Sequence, residues 1–181
     1  MMPTYIAMLR GINVSGHKAI KMEALRSFCE TLGFTKVQTY IQSGNIIFNF
    51  SNAPCADLEK KIARKILEEF HFEVPVIVME AEVVRKVSKN NPFTNERNLD
   101  LTQLHVTFLA EEPKQAVVSK IKADDYAPDE FVVDGKTVYL YCPGGYGKTK
   151  LSNSFFESKL NVKATTRNWK TVNALVALAA L

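Results

Sequence analysis

The chain has 181 residues, 46% of them hydrophobic and 23% charged, the make-up of an ordinary globular protein, so disordered and fibrous classes are excluded. Its net charge of +4 and pI near 8.9 lie below what a dedicated duplex-DNA binder carries. The length allows one large domain or two small ones.

Tyr5 to Leu9 is an unbroken apolar run and reads as a buried strand, followed by a loop from Arg10 to Lys21. Met22, Leu25, Phe28, Cys29 and Leu32 then recur at helical spacing, with Gly33 where a helix stop belongs. Lys36 to Ile41 reads as a second strand, Gln42-Ser43-Gly44-Asn45 as a turn and Ile46 to Phe50 as a third strand. In that strand Ile46, Phe48 and Phe50 share one face, and Asn45, Ile47 and Asn49 the other. Leu58, Ile62, Ile66, Leu67 and Phe70 make an amphipathic helix, and Pro75 to Met79 a fourth strand. The order is β-α-β-β-α-β, the split βαβ pattern of ferredoxin-like folds.

The second half repeats much of this order. Val83, Val84 and Val87 suggest a short linking helix, ending in Asn90-Asn91-Pro92-Phe93 and a polar loop through Asn98. Leu104 to Leu109 reads as a strand and Lys114 to Ile121 as a helix opened by Pro113. Phe131 to Val133 and Thr137 to Tyr141 form a hairpin, with Asp134-Gly135 as its turn. Helices follow near Leu151 to Leu160 and Trp169 to Leu181, the last one in place of, or after, a final short strand. The expected fold is α+β, two ferredoxin-like subdomains in tandem with an extra helix at the end. They span residues 3–79 and 99–181, with 80–98 as linking helix and loop.

Cys29, Cys55 and Cys142 are scattered, with no C-x-x-C, so neither a zinc site nor a dithiol motif is supported and a reducing compartment is expected. No basic-then-apolar leader opens the chain, and the apolar run Ala174 to Leu181 is too short to span a bilayer. The expected location is cytoplasmic, with no membrane partner, no cofactor and no metal.

Two polar, basic stretches stand out. The first, between the opening strand and helix, holds Gly11, Asn13, Ser15 and Gly16 with Arg10, His17, Lys18 and Lys21. A strand-to-helix loop of this kind offers backbone N–H groups and positive side chains to an anion. The second, Cys142 to Trp169, sets Lys148, Lys150, Lys159, Lys163 and Arg167 against one acid, Glu157. Its C-P-G-G-Y-G-K-T comes close to the phosphate-binding G-x-x-x-x-G-K-[ST], after a strand and before a helix. Cys142 replaces the first glycine, however, and the strands around it read as antiparallel hairpins, against that motif. A glycine-rich turn and a simple anion pocket at the next helix N-terminus are the other two readings.

Among Ala164 to Trp169, Thr165, Thr166 or Asn168 is placed to cap the final helix. Trp169, the only tryptophan, reads as buried; Arg167 reads as a phosphate or base contact, or as a group closing the core. Of the histidines, His71 ends a helix and His105 sits in an apolar strand as a core group. His17, in the glycine-containing loop, is the one general acid–base candidate. The third strand, S-G-N-I-I-F-N-F, is reminiscent of an RNA-recognition motif, but its outward positions, Asn45 and Ile47, carry no aromatic ring on which bases would stack.

L-R-G-I-N-V-x-G (Leu9 to Gly16), Y-I-Q-S-G-N (Tyr40 to Asn45), N-P-F (Asn91 to Phe93), G-Y-G-K-T-K-L (Gly145 to Leu151) and A-T-T-R-N-W-x-T (Ala164 to Thr171) together resemble the bacterial family known as domain of unknown function 1697. The match covers nearly the whole chain, with Ser15 in place of a usual glycine. The resemblance implies a cytoplasmic α+β protein with ferredoxin-like subdomains, and no assigned activity.

Three functions are weighed. The leading one is a binding module for an anionic ligand, nucleic acid or phosphorylated metabolite, in a cleft between the two subdomains. Arg10, Lys18, Lys148, Lys150 and Arg167 would supply charge; Gly11, Asn13, Gln42, Ser43, Asn45 and Asn168 would supply polar groups; Gly16, Gly44 and Gly147 would allow close backbone approach. The second is an enzyme on a small phosphorylated or nucleotide substrate, using His17, Asn13, Gln42, Ser43, Asn45 and Arg167, although neither paired carboxylates nor a metal-ligand cluster supports it. The third is a protein-interaction module using an exposed strand edge or the apolar C-terminal helix.

Overall fold

A computed structural model of the chain describes residues 2–94 and 98–180, so residues 95–97 of the expected linking segment, and Leu181, lie outside the described residues. The order is β1 (Thr4–Leu9), α1 (Met22–Thr31), β2 (Thr35–Tyr40), β3 (Asn45–Asn49), α2 (Cys55–Phe70), β4 (Val76–Glu80) and α3 (Ala81–Lys89), then β5 (Leu104–Leu109), α4 (Gln115–Val118), β6 (Glu130–Asp134), β7 (Thr137–Tyr141), α5 (Asn153–Leu160), β8 (Ala164–Asn168) and α6 (Trp169–Ala179). Among the described residues the strands form two four-stranded antiparallel sheets, ordered β2-β3-β1-β4 and β6-β7-β5-β8. The protein is therefore α+β. The chain divides into two compact units, Met1–Lys86 with Leu175–Leu181, and Val87–Ala174.

In the first unit, β1 is central because every residue from Tyr5 to Leu9 is buried. Alternation sends Tyr5, Ala7 and Leu9 into the helix-side core with Leu25, Phe28, Leu58, Ile62 and Ile66. Phe34 stacks on Phe48 at 4.1 Å between ring centroids, and Tyr5 lies beside Phe48 at 5.7 Å. The Tyr5 hydroxyl donates to the Ala53 carbonyl and accepts from the Ala53 amide, so the polar end of a fully buried ring is satisfied. The opposite face of the sheet is buried too, through Ile6, Met8, Ile47, Ile77 and Met79. Asn45 and Ile47 are thus closed to solvent, and this face offers no platform for base stacking.

The edge strand β2 is interrupted by an irregularity between Thr35 and Gln38, with Lys36 at φ 49. Such a bulge blunts an edge against further pairing. The strand also stops one residue earlier than the apolar run suggests, because Ile41 turns to φ 51 to open the 41–44 turn.

In the second unit, β5 lies between β7 and β8, and Leu109, Val138, Leu140, Leu151, Phe156 and Leu160 fill the helix side. The helix expected over 114–121 shortens to one turn. After Ser119, the amides of Lys120 and Ile121 bond to Val117 and Val118, three residues back instead of four, and the β-branched pair Val117-Val118 favours this early end. The hairpin turn sits one residue later than Asp134-Gly135. Asp134 pairs with Thr137, so Gly135 and Lys136 are the central residues, with Gly135 at φ 54 in the place a type II′ turn reserves for glycine. A final strand, β8, does precede the last helix. In α3, the linking helix suggested by these valines, Val84 and Val87 are buried and Val83 is exposed. The three cysteines are free thiols, and no helix among the described residues is long and apolar enough to cross a membrane.

Candidate functional site

The polar loop between β1 and α1 folds back on itself. Val14 and His17 form a bridge, with the His17 amide donating to the Val14 carbonyl at 2.9 Å, and Ser15 and Gly16 at its tip have φ 50 and 77. Positive φ at both central residues defines a type I′ turn, which explains the glycine and leaves Ser15 in a left-handed conformation that costs free energy. Below the tip, the Asn13 amide donates to the Lys18 carbonyl at 3.1 Å.

Two loop residues hold this small hairpin to the body of the unit. Ile12 and Ile20 are buried in the core, anchoring both legs. Asn13 joins the legs: its Oδ1 accepts from the Ile20 amide at 2.8 Å and its Nδ2 donates to the Ile20 carbonyl at 3.0 Å. The same Nδ2 donates to the Gln42 carbonyl at 2.9 Å, tying the loop to the 41–44 turn. That turn is closed by Asn45, whose Nδ2 donates to the Tyr40 carbonyl at 2.9 Å and the Ser43 hydroxyl at 3.1 Å. Gly44 fits only without a side chain: at φ 80, a Cβ would stand 2.6 Å from Ile12 Cδ1 and 2.9 Å from Leu9 Cβ.

The structure therefore brings Arg10, Gly11, Asn13, Lys18, Gln42, Ser43 and Asn45 into one region of the first unit, but in different roles. Asn13 and Asn45 build the loop from inside. Gly11, His17, Lys18, Lys21 and Gln42 are exposed on it, and Arg10 is half-buried at its base with its amide bonded to the Pro75 carbonyl at 3.0 Å. Lys18 Nζ donates to the Glu73 carbonyl at 2.6 Å, which positions its charge and leaves further ammonium hydrogens to offer. Lys21 occupies the cap position of α1, and no side chain caps that helix end.

The same unit has another basic surface, on α2, where Lys60, Lys61, Arg64 and Lys65 line a shallow hollow of about 430 Å³. Arg64 and Lys65 there are paired with Glu68 at 2.9 Å and Glu69 at 2.6 Å, and Lys61 Nζ lies 4.8 Å over the Phe50 ring. Three of these four cations are thus engaged by their own neighbours.

In the second unit, the likeness to a P-loop ends. The segment after β7 closes on itself, Gly145 to Cys142, Lys148 to Gly145 and Thr149 to Tyr146, so these amides do not cradle a phosphate. Thr149, the counterpart of the metal-binding hydroxyl in that motif, donates to Asp129 Oδ2 at 2.6 Å, and α5 starts only at Asn153, capped by Ser152. Lys148 and Lys150 are exposed on this turn. Arg167 and Asn168 are adjacent in β8 and so point to opposite faces. Arg167 lies buried, donating from Nη1 to Thr165 Oγ1 at 3.0 Å and to the Thr166 carbonyl at 2.9 Å, and burial pushes its pKa down to about 10, still cationic at neutral pH. Asn168 faces the helix side and caps α6 by accepting from the Thr171 amide at 2.8 Å. Trp169 is buried.

Sequence reasoning passed over what surrounds Asn168. His105 is its direct register partner on β5, and both line a hollow of about 430 Å³. Trp169, Lys170 and Asn173 of α6 form one wall, and Leu101 and Thr102, in the short 3-10 turn Leu101–Gln103, form another. His105 stacks on Tyr146 at 4.7 Å and 22°, and burial pulls its pKa below the usual 6.5, partly offset by the Gln103 carbonyl 3.4 Å from Nδ1. The available signal was Asp100-Leu101-Thr102, where Asp100 Oδ1 caps the turn by accepting from the Thr102 amide and hydroxyl.

Comparison with known proteins gives three findings. No curated protein matches the chain. The fold is similar to that of the conserved bacterial protein SP0830 from Streptococcus pneumoniae, with 23% identity, 99% of each chain covered and a TM-score of 0.76. The family described as "Protein of unknown function (DUF1697)" matches residues 2–139, which include the loop hairpin, the turn behind it and most of the second sheet; the chain belongs to that family.

Proposed function

We propose that the protein binds a phosphate-bearing ligand, a phosphorylated metabolite or nucleic acid, on the β1–α1 loop of its first unit. One observation carries this reading: a loop hairpin pinned through Asn13 carries exposed His17, Lys18 and Lys21 and leads directly into α1, whose amino end has no side-chain cap. The first amides of a helix lack intrahelical partners and carry partial positive charge, which an anion satisfies. Glu23 in the first turn offsets part of that field, and the neighbouring lysines outnumber it.

The internal bonds of Asn13 and Asn45 serve this function by rigidity. A loop already ordered does not spend ligand binding energy on its own ordering. The ferredoxin-like description of each unit, and a cytoplasmic location, belong to the same proposal. The strand order in which β3 lies between β2 and β1, and β7 between β6 and β5, supports the first, and three free thiols support the second.

The test is a titration of the full chain with inorganic pyrophosphate and with a single-stranded oligonucleotide, repeated between about 50 and 200 mM salt. Affinity that falls with salt, and falls further in a Lys18→Gln, Lys21→Gln double variant, supports the reading. The two titrants separate metabolite from nucleic acid. Absent binding, or binding indifferent to both salt and the double variant, removes it.

A further inference from the structure

We propose that the second unit carries a separate ligand site, the hollow at the amino end of α6, and that it takes a small organic anion built on a planar ring. The volume of about 430 Å³ is within the usual range for small-molecule sites, and all of its lining belongs to this unit. Its chemistry is divided. Leu101 and Trp169 line it on the apolar side, and the ring of His105, also in the lining, is held flat by its stack on Tyr146, which suits a planar ligand.

Its main donors are one amide and one cation. Asn168 Oδ1 accepts from the Thr171 amide, which fixes the side chain and leaves its N–H₂ to offer a ligand two donors. Asn173 Nδ2 donates to the Trp169 carbonyl and its Oδ1 accepts from the Ser88 hydroxyl, so this amide is fixed in the wall with one N–H and one lone pair to spare. Lys170, exposed at the rim, adds the cation. With the positive end of α6 behind them, these groups call for an acceptor-rich, negatively charged head beside an apolar body. The carboxylate and the phosphate ester share that chemistry.

Because Trp169 is the only tryptophan in the chain, its emission reports occupancy directly. The full chain is titrated with AMP and with benzoate, the two sources of a ring anion, and with adenosine and inorganic phosphate as halves of the first. The expected result is a saturable emission change with AMP or benzoate, weakened about tenfold in Lys170→Glu, as removal and reversal of a single charged partner predicts. Neither adenosine nor phosphate alone should match the ring anion. Lys21→Glu, in the other unit, should leave the response unchanged, which keeps this site distinct from the loop. No saturable change with either ring anion, or identical affinity in Lys170→Glu, overturns the proposal. Lys170 is exposed, so the variant retains the fold.

Discussion

Asn13 and Ile20 are joined in both directions: the side-chain amide of one pairs with the main-chain N–H and C=O of the other, at 2.8 and 3.0 Å. The asparagine imitates a neighbouring strand and closes the loop across seven residues. Asn13→Ala deletes both bonds and those to the Gln42 carbonyl and side chain, leaving partly buried main-chain groups without them. A loss of about 2–3 kcal/mol is expected, since each unmet group costs about 1–3 kcal/mol in buried surroundings and less near water. Urea unfolding checks it, and a loss below about 0.5 kcal/mol, the size of an ordinary surface change, would show that the loop is held by Ile12 and Ile20 alone.

Gly44 meets its neighbours backbone to side chain, with the space a methyl would need already filled by Leu9 Cβ and Ile12. Gly44→Ala is expected to destabilise by about 2–4 kcal/mol, combining left-handed strain with overpacking. Gly11 is also at positive φ, but a methyl added there would meet nothing within 4 Å, so Gly11→Ala should lose only about 1 kcal/mol. Thermal or urea midpoints of the two variants measure the difference, and equal losses would contradict the packing argument.

Ser15 supplies the opposite case. It occupies the first central position of a type I′ turn, for which asparagine followed by glycine is preferred. Ser15→Asn should stabilise by about 0.5 kcal/mol, a part of the left-handed cost for an ordinary residue. The unfolding midpoint should rise; a fall would mean that the serine makes a contact the turn depends on.

His105 gives a dependence on pH. Burial holds its pKa in the folded state below the usual 6.5, so the unfolded chain binds its proton more readily. Its contribution is fully present above pH 6.5 and is lost as pH falls through the lower, folded value. Stability measured by urea unfolding should therefore decline on acidification from about pH 6.5, and His105→Gln should flatten that decline. An unchanged slope in the variant would show that other groups govern acid sensitivity.

The two sheets were readable because apolar residues alternate or recur at fixed spacing, as in Tyr5 to Leu9 and Leu58, Ile62, Ile66. Burial of both faces of β1 also follows from its unbroken apolar run. What the sequence left obscure lies where long-range assembly decides. Ile12 and Ile20 look like stray apolar residues in a polar loop until the fold shows them as anchors. Asn13 and Asn45 look like ligand contacts, because an amide that binds a ligand and one that closes a loop have the same composition and spacing. The hollow beside Asn168 was invisible because its walls come from residues 101–105 and 168–173, paired only through the β5–β8 register. Arg167 and Asn168, adjacent in sequence, were grouped as one site, and the pleat of β8 separates them.

The most direct measurement for the loop is an amide-resolved NMR titration of the full chain with pyrophosphate at low salt. Binding at the hairpin predicts shifts concentrated on the amides of Gly11 to Glu23, fading as salt approaches about 200 mM. Shifts centred instead on Lys60, Lys61, Arg64 and Lys65 of α2, or none near the hairpin, would contradict it.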